Sequence, residues 1–353
     1  PMNQVVRALR VPAAILLLCS MMMAFVNVPK AGAAMNNTYG QPEFLLSPIQ
    51  SSSTIAIYDS VIGQEGGANV LYTTLSGDPA VFFVIDLDNY TVVRSLPMPG
   101  GAKDIWTHVV DPDGNVYIAS TNGKLFRYEP GAEEIEDLGV IIPGEGTIYG
   151  LNADENGNIY GGTYPNGRVW KYNPQTDQFT DYGTVHAGHA YVRSLAYYNG
   201  KLYAGLGTQG RLYEIDAATG DKTEIPLPPV AGVTNGDYPF VYQLDVISDG
   251  SGKDYLFAHL SGNGISTLIV YDLTGGEWRD EQFPDFHGNR TYGIGDGKAY
   301  FKLNGNGGHK LVEIDLATFQ TTVTDMVQDF SLKGGGIAEL NDPAFPGKTL
   351  VNI

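Results

Sequence analysis

Short apolar runs alternate with turns rich in Gly, Asn and Asp along most of this chain, and the alternation itself repeats. Each unit closes on an apolar strand and a turn opened by an acidic residue or Asn. The closing segments are Val84-Ile85-Asp86-Leu87, Arg127-Tyr128-Glu129-Pro130, Lys171-Tyr172-Asn173-Pro174, Glu214-Ile215-Asp216-Ala217, Val270-Tyr271-Asp272-Leu273 and Glu313-Ile314-Asp315-Leu316. Along that column the intervals are 43, 44, 43, 56 and 43 residues. A period in the low forties made only of short strands predicts an all-β fold, a β-propeller of four-stranded antiparallel blades. The spacing is consistent with seven blades, the last incomplete; six or eight also satisfy it.

The pattern places blade one at Thr54–Met98, with strands near Ile55–Val61, Asn69–Leu75, Val81–Asp86 and Thr91–Leu96. Blade two runs Ile105–Gly139. Its core, Val109-Val110-Asp111-Pro112-Asp113-Gly114-Asn115-Val116-Tyr117-Ile118, returns in blade three as Leu151-Asn152-Ala153-Asp154-Glu155-Asn156-Gly157-Asn158-Ile159-Tyr160. Blade four carries Leu195-Ala196-Tyr197-Tyr198-Asn199-Gly200-Lys201-Leu202-Tyr203. Blade five, Val241–Arg279, follows a long lead-in and has a longer first turn, Ser248–Asp254; blade six is Tyr292–Thr324. Tyr117, Tyr160, Tyr203 and Tyr300 recur at one strand position and are expected to pack between blades. The segments 334–340 and 348–353 supply two strands of a further blade. Either the N-terminal leader completes it, or the chain is part of a longer protein; the mid-strand ending Val351-Asn352-Ile353 favours the latter.

The N-terminus departs from this pattern. Arg7 and Arg10 flank an apolar stretch, Val11 to Val28, followed by the small-x-small step Ala31-Gly32-Ala33. That is the layout of a secretion signal cleaved after Ala33. The expected organisation is a signal peptide over 1–33, a polar leader over 34–53 and the propeller over 54–353. Cys19, the only cysteine, would leave with the signal, so the exported protein has no disulfide or thiol chemistry. The chain carries 21 basic and 39 acidic residues, net −18. Removing Arg7, Arg10 and Lys30 leaves 18 basic residues and a net −21. Such a balance argues against nucleic acid as a partner. A secreted or cell-surface, monomeric domain with no stable membrane insertion after cleavage is the resulting expectation.

In a propeller the loops entering each innermost strand, together with those between second and third strands, form one axial face where ligands gather. The residues expected there are Asp104, Trp106 and His108, then Glu145 and Tyr149, then His186, His189, Tyr191 and Arg193. Blades five and six add Asp237, Tyr238, Tyr242, His287, Arg290 and Tyr292, and the second-to-third loops add Tyr164, Arg168, His259 and His309. All six histidines fall on this face in that register. His108, His189, Tyr191 and Arg193 suit catalysis by β-elimination at a uronic acid: a cation neutralises the carboxylate while His or Tyr moves the proton. Trp106, Tyr149, Tyr164, Arg168, His186, Tyr242, His259, Arg290 and Tyr292 are the expected substrate-binding set, because flat rings and paired donors suit sugars. No cofactor is required. A divalent metal held by His186 and His189 with His108 or His259 is a minor alternative. The Asp111–Asn115 and Asp249–Asp254 segments resemble calcium loops but lack the distal Glu, and are read as turns.

The run Asp113-Gly114-Asn115-Val116-Tyr117 through Gly123-Lys124-Leu125-Phe126-Arg127-Tyr128, repeated at Gly157–Tyr172, resembles bacterial secreted β-propellers with Asp-Gly-Asn-x-Tyr repeats. The phrase Tyr160-Gly161-Gly162-Thr163-Tyr164-Pro165-Asn166-Gly167-Arg168 is faintly similar to propeller-fold polysaccharide lyases, which implies a uronate-containing glycan as substrate. The expected function is engagement of an extracellular polysaccharide at the axial face, with or without cleavage by β-elimination. The alternatives are a non-catalytic carbohydrate- or protein-binding module of a larger surface protein, and a lactonase-like metal hydrolase, for which Glu145 and Asp237 are the hints.

Overall fold

The computed structural model describes residues 6–9, 41–44, 49, 56–305, 308–327, 338–342 and 345–352. Most of the expected signal peptide and leader, Cys19 and Ala31-Gly32-Ala33 among them, lies outside the described residues.

Six consecutive four-stranded antiparallel sheets form propeller blades. Blade one comprises Ser60–Glu65, Ala68–Leu75, Val81–Asp86 and Thr91–Pro97. Blade two comprises Ile105–Val110, Val116–Ser120, Lys124–Tyr128 and Glu136–Val140. Blade three is Ile148–Ala153, Ile159–Thr163, Arg168–Asn173 and Gln178–Thr184. Blade four is Tyr191–Tyr198, Lys201–Gly207, Leu212–Asp216 and Lys222–Ile225. Blade five uses Phe240–Ser248, Asp254–Gly262, Ile265–Asp272 and Glu277–Pro284. Blade six uses Phe286–Tyr292, Lys298–Gly305, Gly308–Asp315 and Thr321–Met326.

Among the described residues, six blades of consecutive strands are thus present where seven were expected. A separate sheet joins the chain ends: Pro42–Phe44 pairs with Val6–Leu9, which pairs with Phe345–Asn352, which pairs with Ala338–Asp342. Gln41 reaches the outer strand of blade six, donating to the Asp325 carbonyl at 3.0 Å and accepting from the Val327 amide at 2.9 Å. Ile49 packs on Leu71, Ile85 and Leu87 of blade one.

Two strand assignments need correction. The innermost strand of blade one is Ser60–Glu65 rather than 55–61, because Gly66 and Gly67, both at positive φ, place the hairpin later than the apolar run suggests. In blade six the inner strand begins at Phe286, so His287 and Arg290 lie within it rather than in the preceding loop.

The second strand of each blade is buried on both faces, as in Val116–Ser120 and Ile159–Thr163, because neighbouring blades cover it. Outer strands alternate instead; Thr91–Pro97 is half-exposed residue by residue. Apolar clusters fill each gap between consecutive blades, and Tyr117, Tyr160 and Tyr203 sit in three of them as the repeat implied.

The acidic column that revealed the repeat has a local cause. Asp86, Asn173, Asp216, Asp272 and Asp315 each accept, through a side-chain oxygen, the amides two and three residues onward in the third-to-fourth turn. Glu129 is the exception. Its turn is closed by its own carbonyl, and the Tyr128 hydroxyl takes the Gly131 amide. The Asp111 carboxylate likewise accepts from the Asp113 and Asn115 amides and from Asn115 Nδ2, and so closes a hairpin.

Candidate functional site

One irregularity recurs at the entrance of the inner strands. In blades two to five the pairing with the second strand slips between Ile105 and Thr107, Ile148 and Gly150, Val192 and Ser194, and Val241 and Gln243. The residue passed over is Trp106, Tyr149, Arg193 or Tyr242. A bulge of this kind turns one side chain out of the alternation. In each case the residue before it is buried at 0–1 % exposure, and the bulged residue itself is half-buried at the axial mouth.

These bulged side chains meet. Tyr58, which enters blade one, stacks on Trp106 with centroids 4.2 Å apart and planes 16° apart. Trp106 meets Tyr149 edge-on at 5.6 Å. The Arg193 guanidinium lies 4.8 Å from the Tyr149 ring centre and 3.8 Å from that of Tyr242. Behind them Tyr191 contacts Tyr149 at 6.0 Å, stacks on Tyr164 at 4.4 Å and meets Phe240 at 5.5 Å. Burial raises the hydroxyl pKa of both Tyr149 and Tyr191. Arg193 forms no ion pair with a carboxylate among the described residues; Arg94, Arg127, Arg168, Arg211, Arg279 and Arg290 all do. Its flat faces are occupied by rings, so its N–H edges are what it can offer to a ligand.

Below this mouth the channel wall is polar and tightly bonded. Asp59 accepts the His108 amide at 2.6 Å, and His108 Nδ1 lies 3.3 Å from the same carboxylate oxygen. His108 Nε2 is 2.8 Å from the Thr74 hydroxyl. All three residues are at least 97 % buried. Arg290 pairs with Asp245 at 3.2 Å and lies 3.7 Å from Asp59, and the Thr291 amide donates to Asp245 at 2.9 Å. Burial pushes the Asp245 carboxyl up, against the opposing pull of Arg290. Asp245 and Arg290 face a cavity of about 320 Å³, also lined by Asn152, Gln243, Tyr197 and Tyr292.

Similar bonds stitch blade to blade. The Leu151 amide donates to Thr107 Oγ1 at 3.1 Å, Ser194 Oγ donates to the Val241 carbonyl at 2.7 Å, and Asn152 Nδ2 donates to the Leu195 carbonyl at 2.7 Å.

The sequence-derived set therefore divides. Trp106, Tyr149, Tyr164, Tyr191, Arg193 and Tyr242 come together at the mouth, with His259 beside Tyr242 at 5.7 Å. His108 does not stand free for proton transfer, since both ring nitrogens are engaged. His186 and His189 turn toward the outer strands of blade four: His186 Nδ1 lies 2.6 Å from the Tyr213 hydroxyl, and the two imidazoles meet edge-on at 4.6 Å. Burial and the neighbouring His186 lower the His189 pKa. Arg168 pairs with Asp181 on the outer strand of blade three because the strand alternation points it there. Arg290 and Tyr292 belong to the channel rather than the mouth. Glu145 holds the loop ahead of Arg168, accepting from Thr163 Oγ1 at 2.6 Å and Asn166 Nδ2 at 2.6 Å. No cluster of three or more metal-ligating side chains occurs among the described residues.

Tyr58, Asp59, Thr74 and Asp245 were missed by sequence reasoning. The signal for Tyr58 existed: Ile57-Tyr58 aligns with Ile105-Trp106, Ile148-Tyr149 and Val241-Tyr242. Misplacing the first strand of blade one hid it.

No family model and no curated protein matches the chain. Among solved structures it is similar to selenomethionine-substituted virginiamycin B lyase from Staphylococcus aureus, with a TM-score of 0.57 and 17 % sequence identity, over 84 % of this chain and 94 % of that one. At that identity the likeness is one of fold: the chain is a β-propeller.

Proposed function

We propose that this propeller binds a carboxylate-bearing sugar, as found in uronate-containing extracellular glycans, at its axial mouth. The observation that carries the reading is the position of Arg193, a bulged cation framed by Tyr149 and Tyr242 with no carboxylate partner among the described residues. Ring faces stack against the apolar faces of sugars, and the guanidinium edge matches a carboxylate with two parallel donors. Trp106 and Tyr58 extend the aromatic cluster across two further blades. The acidic remainder of the chain disfavours nonspecific attraction of polyanions, so affinity would come from this local site.

Cleavage by β-elimination is the second reading, favoured by the Tyr149 ring beside Arg193, with Tyr191 against Tyr149, and by a lyase of the same fold. The raised pKa of both tyrosines weighs against either serving as a base near neutrality, so recognition stands first. In the uncleaved chain the sheet joining the chain ends would take the position of a seventh blade, given the contacts of Gln41 with blade six and Ile49 with blade one; cleavage after Ala33 would remove its Val6–Leu9 strand.

Calorimetric titration with oligogalacturonate and with a neutral oligosaccharide of the same length tests the assignment. Saturable binding of the acidic ligand alone, lost in Arg193→Ala, is expected. Equal binding of both ligands would overturn it. Ultraviolet absorbance from unsaturated uronate during incubation would move the conclusion to the lyase.

A further inference from the structure

Beside Arg193 and Tyr242 lies a histidine whose tautomer the structure fixes. His259, on the second strand of blade five, has Nε2 3.0 Å from Ser266 Oγ, and Ser266 Oγ donates to the Phe286 carbonyl at 2.7 Å. A carbonyl can only accept, so the serine hydrogen is committed to Phe286. The hydrogen between serine and imidazole must then come from Nε2, which leaves a neutral His259 with an unprotonated Nδ1. That nitrogen is buried and has no hydrogen-bond partner among the described residues, and His259 is only 5 % exposed.

An orphaned buried acceptor is costly, and one that persists marks a place that a water or a ligand can complete. Tyr242 packs edge-on to the imidazole at 5.7 Å and carries the Arg193 guanidinium at 3.8 Å, while Phe286 closes the other side at 4.4 Å. Tyr242 thus packs against both the His259 imidazole and the Arg193 guanidinium. A carboxylate drawn to the edge of Arg193 arrives next to the ring that packs on His259.

We infer that His259 is a specificity residue of this site, accepting through Nδ1 a hydroxyl of the same sugar whose carboxylate Arg193 holds, with Ser266 as its positioning residue. The inference rests on the carboxylate reading and narrows it: the ligand is a hydroxy acid, with a donor close to its carboxylate. The burial that leaves Nδ1 bare also lowers the His259 pKa, to about 3, and the Arg193 charge adds to the effect. The imidazole is therefore an acceptor at neutral pH, as the assignment requires.

The test compares glucuronate with cyclohexanecarboxylate, which keeps the six-membered ring and the carboxylate but lacks the hydroxyls. Binding is followed by NMR titration of the full chain, and imidazole ¹⁵N shifts report the tautomer. Wild type should show an unprotonated Nδ1 and prefer glucuronate by about tenfold or more, the scale of one hydrogen bond to a fixed acceptor. His259→Phe should bring that preference to about one while leaving cyclohexanecarboxylate binding in place. Ser266→Ala, milder for packing, should release the tautomer and reduce the preference. A preference unchanged in both variants, or Nδ1 protonated in the free protein, overturns the role of His259 and leaves the carboxylate site standing. Both acids binding Arg193→Ala as they bind wild type removes the carboxylate site and this assignment together.

Discussion

The guanidinium of Arg193 lies 3.8 Å from the ring centre of Tyr242, across the seam between blades four and five. Two bulges at matching positions of adjacent inner strands create that contact. Regular alternation would send one of the pair into the blade instead. Arg193→Ala is therefore expected to weaken acidic-glycan binding by roughly 10- to 100-fold, the range of a charge-assisted paired hydrogen bond. Arg193→Lys keeps the charge but not the planar fork, and should fall between. The melting temperature should stay close to wild type in both, since no carboxylate loses its partner. A large thermal loss would show that Arg193 serves packing.

Asp59 ties blade one to blade two through the His108 amide and imidazole, entirely within the protein. Asp59→Ala should cost about 3–5 kcal/mol, because it orphans a buried amide and leaves Arg290 with Asp245 as its single counter-charge. Asp59→Asn, which retains an acceptor, should cost less. Urea unfolding with an unchanged m-value measures both, and equal losses would show that the charge, rather than the hydrogen bond, matters.

Stability should decline in two acid ranges. His259 has a folded pKa of about 3 against an ordinary 6.5, so folding favours its neutral form. Its contribution is present above 6.5 and erodes as pH falls from there toward 3, on the order of 1.4 kcal/mol per pH unit at most. Asp86, Asp216 and Asp315 are held below their usual value of 3.8, the latter two chiefly by the turn amides they cap. Their contribution is present above 3.8 and is lost below it. Melting temperatures between pH 7 and 3 should fall, and His259→Phe should flatten the portion between 6.5 and 4.

Gly161 faces the Trp170 indole so closely that an added Cβ would lie 2.3 Å from Cζ2. Gly161→Ala should destabilise by about 1–3 kcal/mol, the usual cost of overpacking a buried ring. Thermal unfolding decides it; an unchanged midpoint would mean that Trp170 can shift without strain.

Much of the propeller was legible because the repeat has a chemical cause that survives in single letters: a short acid or Asn that must cap the third-to-fourth turn. Blade one shows where legibility stopped. Ile55, Ala56 and Ile57 look like a strand, yet the Gly66-Gly67 turn decides the register, and a strand is only as well placed as its hairpin. Arg168 and Arg290 show a second limit. Residue type suggested ligand contact for both, but whether a guanidinium finds a carboxylate depends on cross-strand neighbours such as Asp181 and cross-blade ones such as Asp245. The bulges were invisible for a third reason: a one-residue slip leaves composition and period untouched.

The hydrogen bonds from His108 to Asp59, from Leu151 to Thr107, from Ser194 to Val241 and from Thr291 to Asp245 run along the inner rim, sheet to sheet. They tie neighbouring blades together at the opening, independently of what happens at the periphery. Under the proposed glycan binding, a guest with a wider headgroup would have to break such bonds. New preferences would arise by exchanging the four protruding side chains while the frame stays as it is.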